Sequence, residues 1–162
     1  MAMFSKRGAT AAAVTSVAAG MAAAVAMAVP PPPSSSFSGN TSQTRAPNHT
    51  VTLQTDANGH VSQMTIDWRA NCKKKGIYWT ATTQLNGGTA GLPQNGDVFK
   101  DAGSYTGNAG NGIKGKVTIK MQGQFSDNDN ASGTWTAKVT VRKKGKKIDF
   151  CKTPAVTWSA VR

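Results

Sequence analysis

Residues 116–125 read Lys-Val-Thr-Ile-Lys-Met-Gln-Gly-Gln-Phe. Every second position is apolar or glycine, and the positions between them carry lysine, threonine or glutamine. A period of two is the pattern of a β-strand with one buried and one solvated face. This stretch therefore predicts a long strand of an antiparallel sheet, with its lysines on the solvated face.

The same period continues on both sides of this strand. Downstream, Trp135, Ala137, Val139 and Val141 share one parity after an Asp/Asn-rich turn at 127–130, and the final strand carries Val156, Trp158 and Ala160. Upstream, the Asn58-Gly59 dipeptide is a strong hairpin signal and precedes a strand with Met64, Ile66 and Trp68 on one face.

About eight strands can be placed between residues 48 and 162, and no stretch has a helical period. All seven acidic residues are aspartates, so the chain lacks glutamate, a good helix former that strands use sparingly. The pattern predicts an all-β fold, an antiparallel β-sandwich with one disulfide. A jelly roll and a small closed barrel are the alternative architectures.

The first 28 residues have the three regions of a secretory signal peptide. A short basic start is followed by an Ala/Val/Met-rich run, and Ala26-Met-Ala28 provides a cleavage site. The alternative is a retained membrane anchor, since the run approaches the roughly 20 residues that span a bilayer. We predict a signal peptide over 1–28, a disordered Pro/Ser-rich tether over 29–47 and a β domain over 48–162. The mature protein is expected to be secreted or cell-wall associated, without a transmembrane segment.

The two cysteines, Cys72 and Cys151, lie near the start and the end of the predicted domain. In an exported chain two cysteines favour a single disulfide, with two free thiols as the alternative. The bridge would close a loop of about 80 residues, which the chain-entropy estimate values at up to about 4–5 kcal/mol. We expect the first and last thirds of the domain to be joined by this bond.

A frame of spaced residues runs through the predicted domain. It consists of Trp68-Arg-Ala-x-Cys72, Gly103-Ser-Tyr105, Gly115-x-Val-x-Ile-x-x-x-Gly-x-Phe125, Ala131-Ser-Gly-x-Trp135 and Cys151-x-Thr-Pro-x-Val-x-Trp158-x-Ala160. The frame resembles a group of small exported β proteins from actinobacteria and covers residues 50–161. The resemblance implies a β fold and export. The group has no assigned activity, so it implies no functional residues.

Lysines dominate the charge of the chain. The net charge is +12, and it falls to about +10 beyond residue 28 because Lys6 and Arg7 are the only charged residues before it. The lysines that flank the cysteines or form the turn before Cys151 are Lys73, Lys74, Lys75, Lys143, Lys144, Lys146, Lys147 and Lys152. A disulfide would bring these segments together and add their charges into one field that attracts polyanions.

The partners predicted from this charge are polyanions of the cell envelope, such as teichoic acids and anionic lipid head groups. Nucleic acid phosphates would be bound only non-specifically. The alternative is that the lysines keep strand edges and turns soluble and prevent edge-to-edge pairing.

Two tyrosines suggest a second class of function, a carbohydrate-binding or adhesive module. Tyr78 falls on the polar face of its strand, and Tyr105 lies in a glycine-rich stretch that reads as a turn. Trp68, Trp135 and Trp158 follow the apolar parity of their strands and are predicted to lie in the core.

The residues offer little for catalysis or metal binding. Asp127-Asn-Asp-Asn130 begins like a calcium loop, but Ala131 replaces a ligand and no bidentate glutamate follows. No Gly-x-Ser-x-Gly motif is present, and both cysteines are expected to be oxidised. We predict no enzyme, no cofactor and no metal site. The alternative is a small secreted hydrolase or toxin, for example a ribonuclease using His49 and His60.

Overall fold

The computed structural model describes residues 31–44 and 49–162. These residues form ten strands and one short 3-10 turn at Gly88–Ala90. The strands are β1 (Ser36–Thr41), β2 (Thr50–Thr55), β3 (Val61–Cys72), β4 (Tyr78–Asn86), β5 (Gln94–Asn95), β6 (Val98–Gly110), β7 (Ile113–Phe125), β8 (Asn130–Lys143), β9 (Lys146–Lys152) and β10 (Val156–Val161). All their pairings are antiparallel, so the predicted all-β antiparallel fold is confirmed.

The strands form one continuous hydrogen-bonded sheet that folds over on itself. Its order is β10-β1-β2-β3-β9-β8-β7-β6-β5, with β4 paired to β3. An additional pairing of β10 with β8 closes a ring of six strands. The resulting fold is sandwich- or barrel-like, because the sheet closes on itself through β8 and β10.

β8 makes this closure possible because it is long enough to pair with two strands in succession along one edge. Residues 138–143 pair with β9, and residues 130–135 pair with β10. Between them, the backbone N–H of Ala137 donates to the side-chain Oγ1 of Thr153 at 3.0 Å, while the N–H of Thr153 donates to the Ala137 carbonyl. The buried Thr153 hydroxyl thus replaces a missing backbone acceptor where β9 gives way to β10.

The core lies between the two layers and is built from the apolar parity of each strand. The predicted tryptophans Trp68, Trp135 and Trp158 are all buried, and the Trp68 and Trp135 ring centroids are 6.4 Å apart. Phe99 and Phe125 pack beside them with centroids 5.4 Å apart. The alternation read from the sequence therefore identifies the interior correctly.

The segment predicted as a tether is in part a strand. β1 lies between β2 and β10, and its Phe37 is only 2% exposed. The prediction of a disordered segment over 29–47 is therefore wrong for residues 36–41, and the domain begins before Asn48. The predicted signal peptide lies outside the described residues.

The predicted disulfide is present between Cys72 and Cys151. The two cysteines are directly opposite each other on β3 and β9, where those strands pair. The bond therefore reinforces one of the two junctions that close the ring of strands. No helix in the described part of the chain has the length and apolar character needed to cross a membrane.

Candidate functional site

Three hairpin turns lie together at one pole of the domain. The Asn111-Gly112 turn and the Lys144-Gly145 turn are neighbours because Ile113 pairs with Lys143. The turn between β3 and β4 joins them, since the N–H of Lys73 donates to the Phe150 carbonyl of β9 at 3.0 Å. We call this pole the lysine-rich end, and its lysines are Lys73, Lys74, Lys75, Lys143, Lys144, Lys146, Lys147 and Lys152.

Four of these predicted lysines surround the half-buried ring of Phe150. Lys73, Lys74 and Lys147 line one shallow pocket beside the ring, and Lys73 and Lys152 line another. The Nζ of Lys147 is 5.7 Å from the centroid of the ring. The segments on the two sides of the disulfide thus converge as the sequence indicates. Lys75, Lys143, Lys144 and Lys146 are exposed on the adjoining turns.

A second cationic surface adjoins this end, and six of its eight cations were not among the predicted site residues. The outer face of β6, β7, β8 and β9 carries Lys100, Lys114, Lys116, Lys120, Lys138, Arg142, Lys147 and Lys152, all exposed. We call it the cationic face. The other outward positions are mostly threonine, serine, asparagine or glutamine.

Register places cations of the cationic face side by side. Lys114 pairs with Arg142, and Arg142 pairs with Lys147, so three cations form a row across three strands. Lys138 is directly opposite Lys152. Like charges at directly opposite positions destabilise a sheet. This arrangement therefore does not stabilise the pairing of these strands.

Carboxylates do not neutralise these cations. The only acidic residues within β6 to β9 are Asp101 and Asp149, which are opposite the core residues Met121 and Val141. Within residues 31–44 and 49–162 the ion pairs are Asp56 with His60 and Asp129 with Arg162, and no lysine takes part in one. Each surface therefore has several cations beside a single aspartate, Asp149 at the lysine-rich end and Asp101 in the cationic face, so both surfaces carry an excess of positive charge.

The cationic face also contains a groove of about 520 Å³. Its lining includes Lys100 and Lys120, the hydroxyls of Thr134 and Thr136, the amide of Gln122 and one acidic residue, Asp101. Hydroxyl and amide groups both donate and accept hydrogen bonds. The groove therefore combines two lysines and one aspartate with side chains that can hydrogen-bond to a ligand.

The two predicted tyrosines do not form a common platform. Tyr78 is exposed, but the Arg69 guanidinium covers its ring at 3.7 Å from the centroid. Tyr105 lies within β6 and not in a turn, so that prediction is wrong. Its hydroxyl is 2.6 Å from Thr83 Oγ1, which also accepts a hydrogen bond from Trp68 Nε1 at 2.7 Å. The prediction failed because the glycines near Tyr105 belong to a strand.

The side chains considered for catalysis and metal binding do not lie together in the structure. His49 precedes β2 and His60 follows the β2–β3 turn, so the length of β2 separates the two imidazoles. In the part of the chain that the structure describes, no three His, Cys, Asp or Glu side chains gather as metal ligands would.

The Asp127 turn is explained by its own hydrogen bonds. The Asp127 carboxylate accepts the N–H of Asp129 at 2.8 Å and the side-chain amide of Asn130 at 2.9 and 3.0 Å. The backbone N–H of Asp129, followed by the Asn130 amide, lowers the pKa of this carboxyl. Both carboxylate oxygens of Asp127 therefore accept hydrogen bonds within the turn, which needs no cation to hold it.

Comparison with known proteins adds no relative. No protein-family model matches the chain, and no curated protein and no solved structure matches it either. The resemblance to exported actinobacterial β proteins therefore stays a prediction. The two cationic surfaces are the features of the molecule that bear on function.

Proposed function

We propose that this protein is an exported, non-enzymatic module that binds anionic polymers of the cell envelope or its surroundings. The observation that carries the proposal is the row of adjacent cations Lys114, Arg142 and Lys147. A protein keeps such a repulsive arrangement at some cost to stability. A polyanion that binds across the row removes the repulsion and releases its own counterions.

The lysine-rich end and the cationic face are parts of one continuous surface in this proposal. Lys147 and Lys152 belong to both, so a linear polymer can follow the lysines from one onto the other. The surrounding hydroxyls and amides suit polymers of phosphate and sugar, such as teichoic acids. A DNA duplex would be bound through its phosphates without sequence preference.

Retention on heparin-agarose and on teichoic-acid beads, measured over a series of salt concentrations, tests the proposal. We expect strong retention that decreases steeply with salt, because counterion release makes such binding salt-dependent. The variant K73Q/K74Q/K146Q/K147Q should reduce affinity about tenfold or more and flatten the salt dependence.

A matched control has the same net charge as this lysine variant but keeps every lysine. Q54E/N58D/N95D/N128D also removes four units of positive charge, at exposed positions outside the lysine-rich end and the cationic face. This control should bind nearly as well as the unmodified protein. Retention that is insensitive to salt, or an equal loss in both variants, would refute a specific cationic surface.

A further inference from the structure

The lysine-rich end also exposes apolar side chains. Among the described residues four large hydrophobic side chains are exposed, and three of them are at this pole: Ile77 (54%), Tyr78 (54%) and Ile148 (39%). The fourth, Val161, ends β10 at the opposite pole. Scattered exposed apolar residues are ordinary, but a cluster of them marks an interaction site.

These side chains meet around a small apolar pocket of about 270 Å³. Ile77, Ile113 and Ile148 come from the three different hairpins, and Trp79 and Val141 form the floor with them. The carboxylate of Asp149 is the one acid in the lining, and it accepts the N–H of Phe150 at 2.7 Å. The three turns thus combine to present one apolar tip.

Lysines surround this apolar tip. Lys74 belongs to the pocket lining itself, and Lys73 and Lys75 occupy the turn just before Ile77. Lys146 and Lys147 precede Ile148, with Lys143 and Lys144 on the other side of the same turn. A hydrophilic polymer would gain little from the isoleucines, whereas the surface of an anionic bilayer offers acyl chains to them and head groups to the lysines. Tyr78 suits the boundary between the two, where tyrosine is enriched.

We propose that the lysine-rich end docks onto the surface of an anionic lipid bilayer, with Ile77 and Ile148 entering the boundary between head groups and acyl chains. This inference rests on the proposed function and specifies the ligand of its lysine-rich end. When the tip is docked, the cations of the cationic face other than Lys147 and Lys152 remain available to a soluble polymer. Short turns support the tip, since Gly76, Lys144 and Gly145 hold positive φ values that close them tightly.

The test is co-sedimentation with vesicles of phosphatidylglycerol and phosphatidylcholine in equal amounts, compared with pure phosphatidylcholine vesicles. The unmodified protein should sediment only with the anionic vesicles. I77S/I148S should lower partitioning about tenfold while heparin retention stays within about twofold of the unmodified protein, because no lysine is changed. K73Q/K74Q/K146Q/K147Q should lower both. V161S, at the opposite pole, is the control and should change neither.

The outcomes separate this inference from the proposed function. Suppose that heparin retains the unmodified protein, but that I77S/I148S and the unmodified protein sediment equally with anionic vesicles. The tip then does not insert, and only this inference fails. If neither heparin nor vesicles retain the protein, the proposed function fails too. Ile77→Ser alone, at a side chain more than half exposed, gives the same answer should the double variant not fold.

Discussion

The side-chain amide of Gln43 forms hydrogen bonds with both backbone groups of Arg69. Gln43 Oε1 accepts the Arg69 N–H at 2.9 Å, and Gln43 Nε2 donates to the Arg69 carbonyl at 2.7 Å. β3 pairs with β2 up to Ile66 and with β9 from Asn71, so Arg69 lies in the gap between these two partners. One side chain thus continues the ladder where no strand is present.

Gln43→Ala should therefore destabilise the fold more than an ordinary surface substitution. It leaves an N–H and a carbonyl of β3 without their partners, and we expect a loss of about 1–3 kcal/mol in the free energy of unfolding. Urea denaturation of Q43A measures this loss. Gln54→Ala is the control, because its side chain is exposed; equal effects of the two changes would contradict the role of Gln43.

A chain that begins at Asn48 should fail to fold cooperatively. It lacks β1, which fills the space between β2 and β10, and it lacks Phe37, whose ring centroid is 5.4 Å from that of Phe125. Loss of a buried phenylalanine side chain alone costs about 3–5 kcal/mol, a large share of the stability of a domain. Circular dichroism during heating should show no cooperative transition.

A chain that begins at Pro30 is the matched control for this truncation, and it should unfold cooperatively. Adding a peptide of residues 31–44 to the shorter chain should restore the transition, because the peptide can pair with both exposed strand edges. A shorter chain that is as stable as the longer one would show that β1 contributes little.

Gly115→Ala should destabilise the packing between the two layers. A Cβ at residue 115 would lie 2.6 Å from Trp79 Cη2 and 2.7 Å from Val139 Cγ1, so a ring or a core side chain must move. Overpacking of this kind costs about 1–3 kcal/mol. Gly103→Ala is the control in the neighbouring strand, because a Cβ there meets nothing within 4 Å. Thermal unfolding should separate the two variants, and a stable G115A would mean that Trp79 moves aside freely.

Tyr105 should make stability depend on pH in the alkaline range. Burial raises its pKa above the usual value of about 10, and hydrogen bonds with Thr83 and Trp68 oppose only part of this effect. Below pH 10 the phenol is protonated in both states and its contribution is fully present. As pH rises above 10 the unfolded chain loses the proton first, so the free energy of unfolding falls.

Denaturation of the unmodified protein and of Tyr105→Phe at several pH values above 9 measures this contribution. The difference in stability between the two should shrink as pH rises, since phenylalanine has no proton to lose. Ultraviolet titration of Tyr78→Phe, in which Tyr105 is the remaining tyrosine, should show ionisation above pH 10. Ionisation of Tyr105 at or below its usual pKa would contradict the burial of its phenol.

The sequence predicts which strand faces are buried better than it predicts where the domain begins. A strand with one dry face repeats every two residues, so Trp135 or Val139 can be assigned to the core without knowing its neighbours. β1 lacks this signal because its inner positions are Phe37 and Gly39. Glycine is required there, since a Cβ would lie 1.9 Å from the Ser159 carbonyl oxygen. The strand conformation of β1 comes from its pairing with β2 and β10. Local composition does not reveal this pairing.

The cationic surfaces were predictable only in part, for a related reason. Each of the two cysteines has lysines next to it in sequence. The convergence of these lysines therefore follows once the disulfide is assumed. The row of Lys114, Arg142 and Lys147 depends on the register of three strands, and a bulge between Val141 and Arg142 shifts that register. Alternation places a lysine on the outer face of its strand, but it does not identify the neighbour across the ladder.

The two ends of the described chain lie at the pole opposite the lysine-rich end. The N–H of Ser34 donates to the Asp56 carbonyl in the β2–β3 turn, and Arg162 pairs with Asp129 before β8. A strand as long as β8 spans about 45 Å at the usual rise per residue. The length of such a strand therefore separates Ser34 and Arg162 from the exposed isoleucines of the lysine-rich end. A label attached at Arg162 would lie far from any surface on which those isoleucines dock.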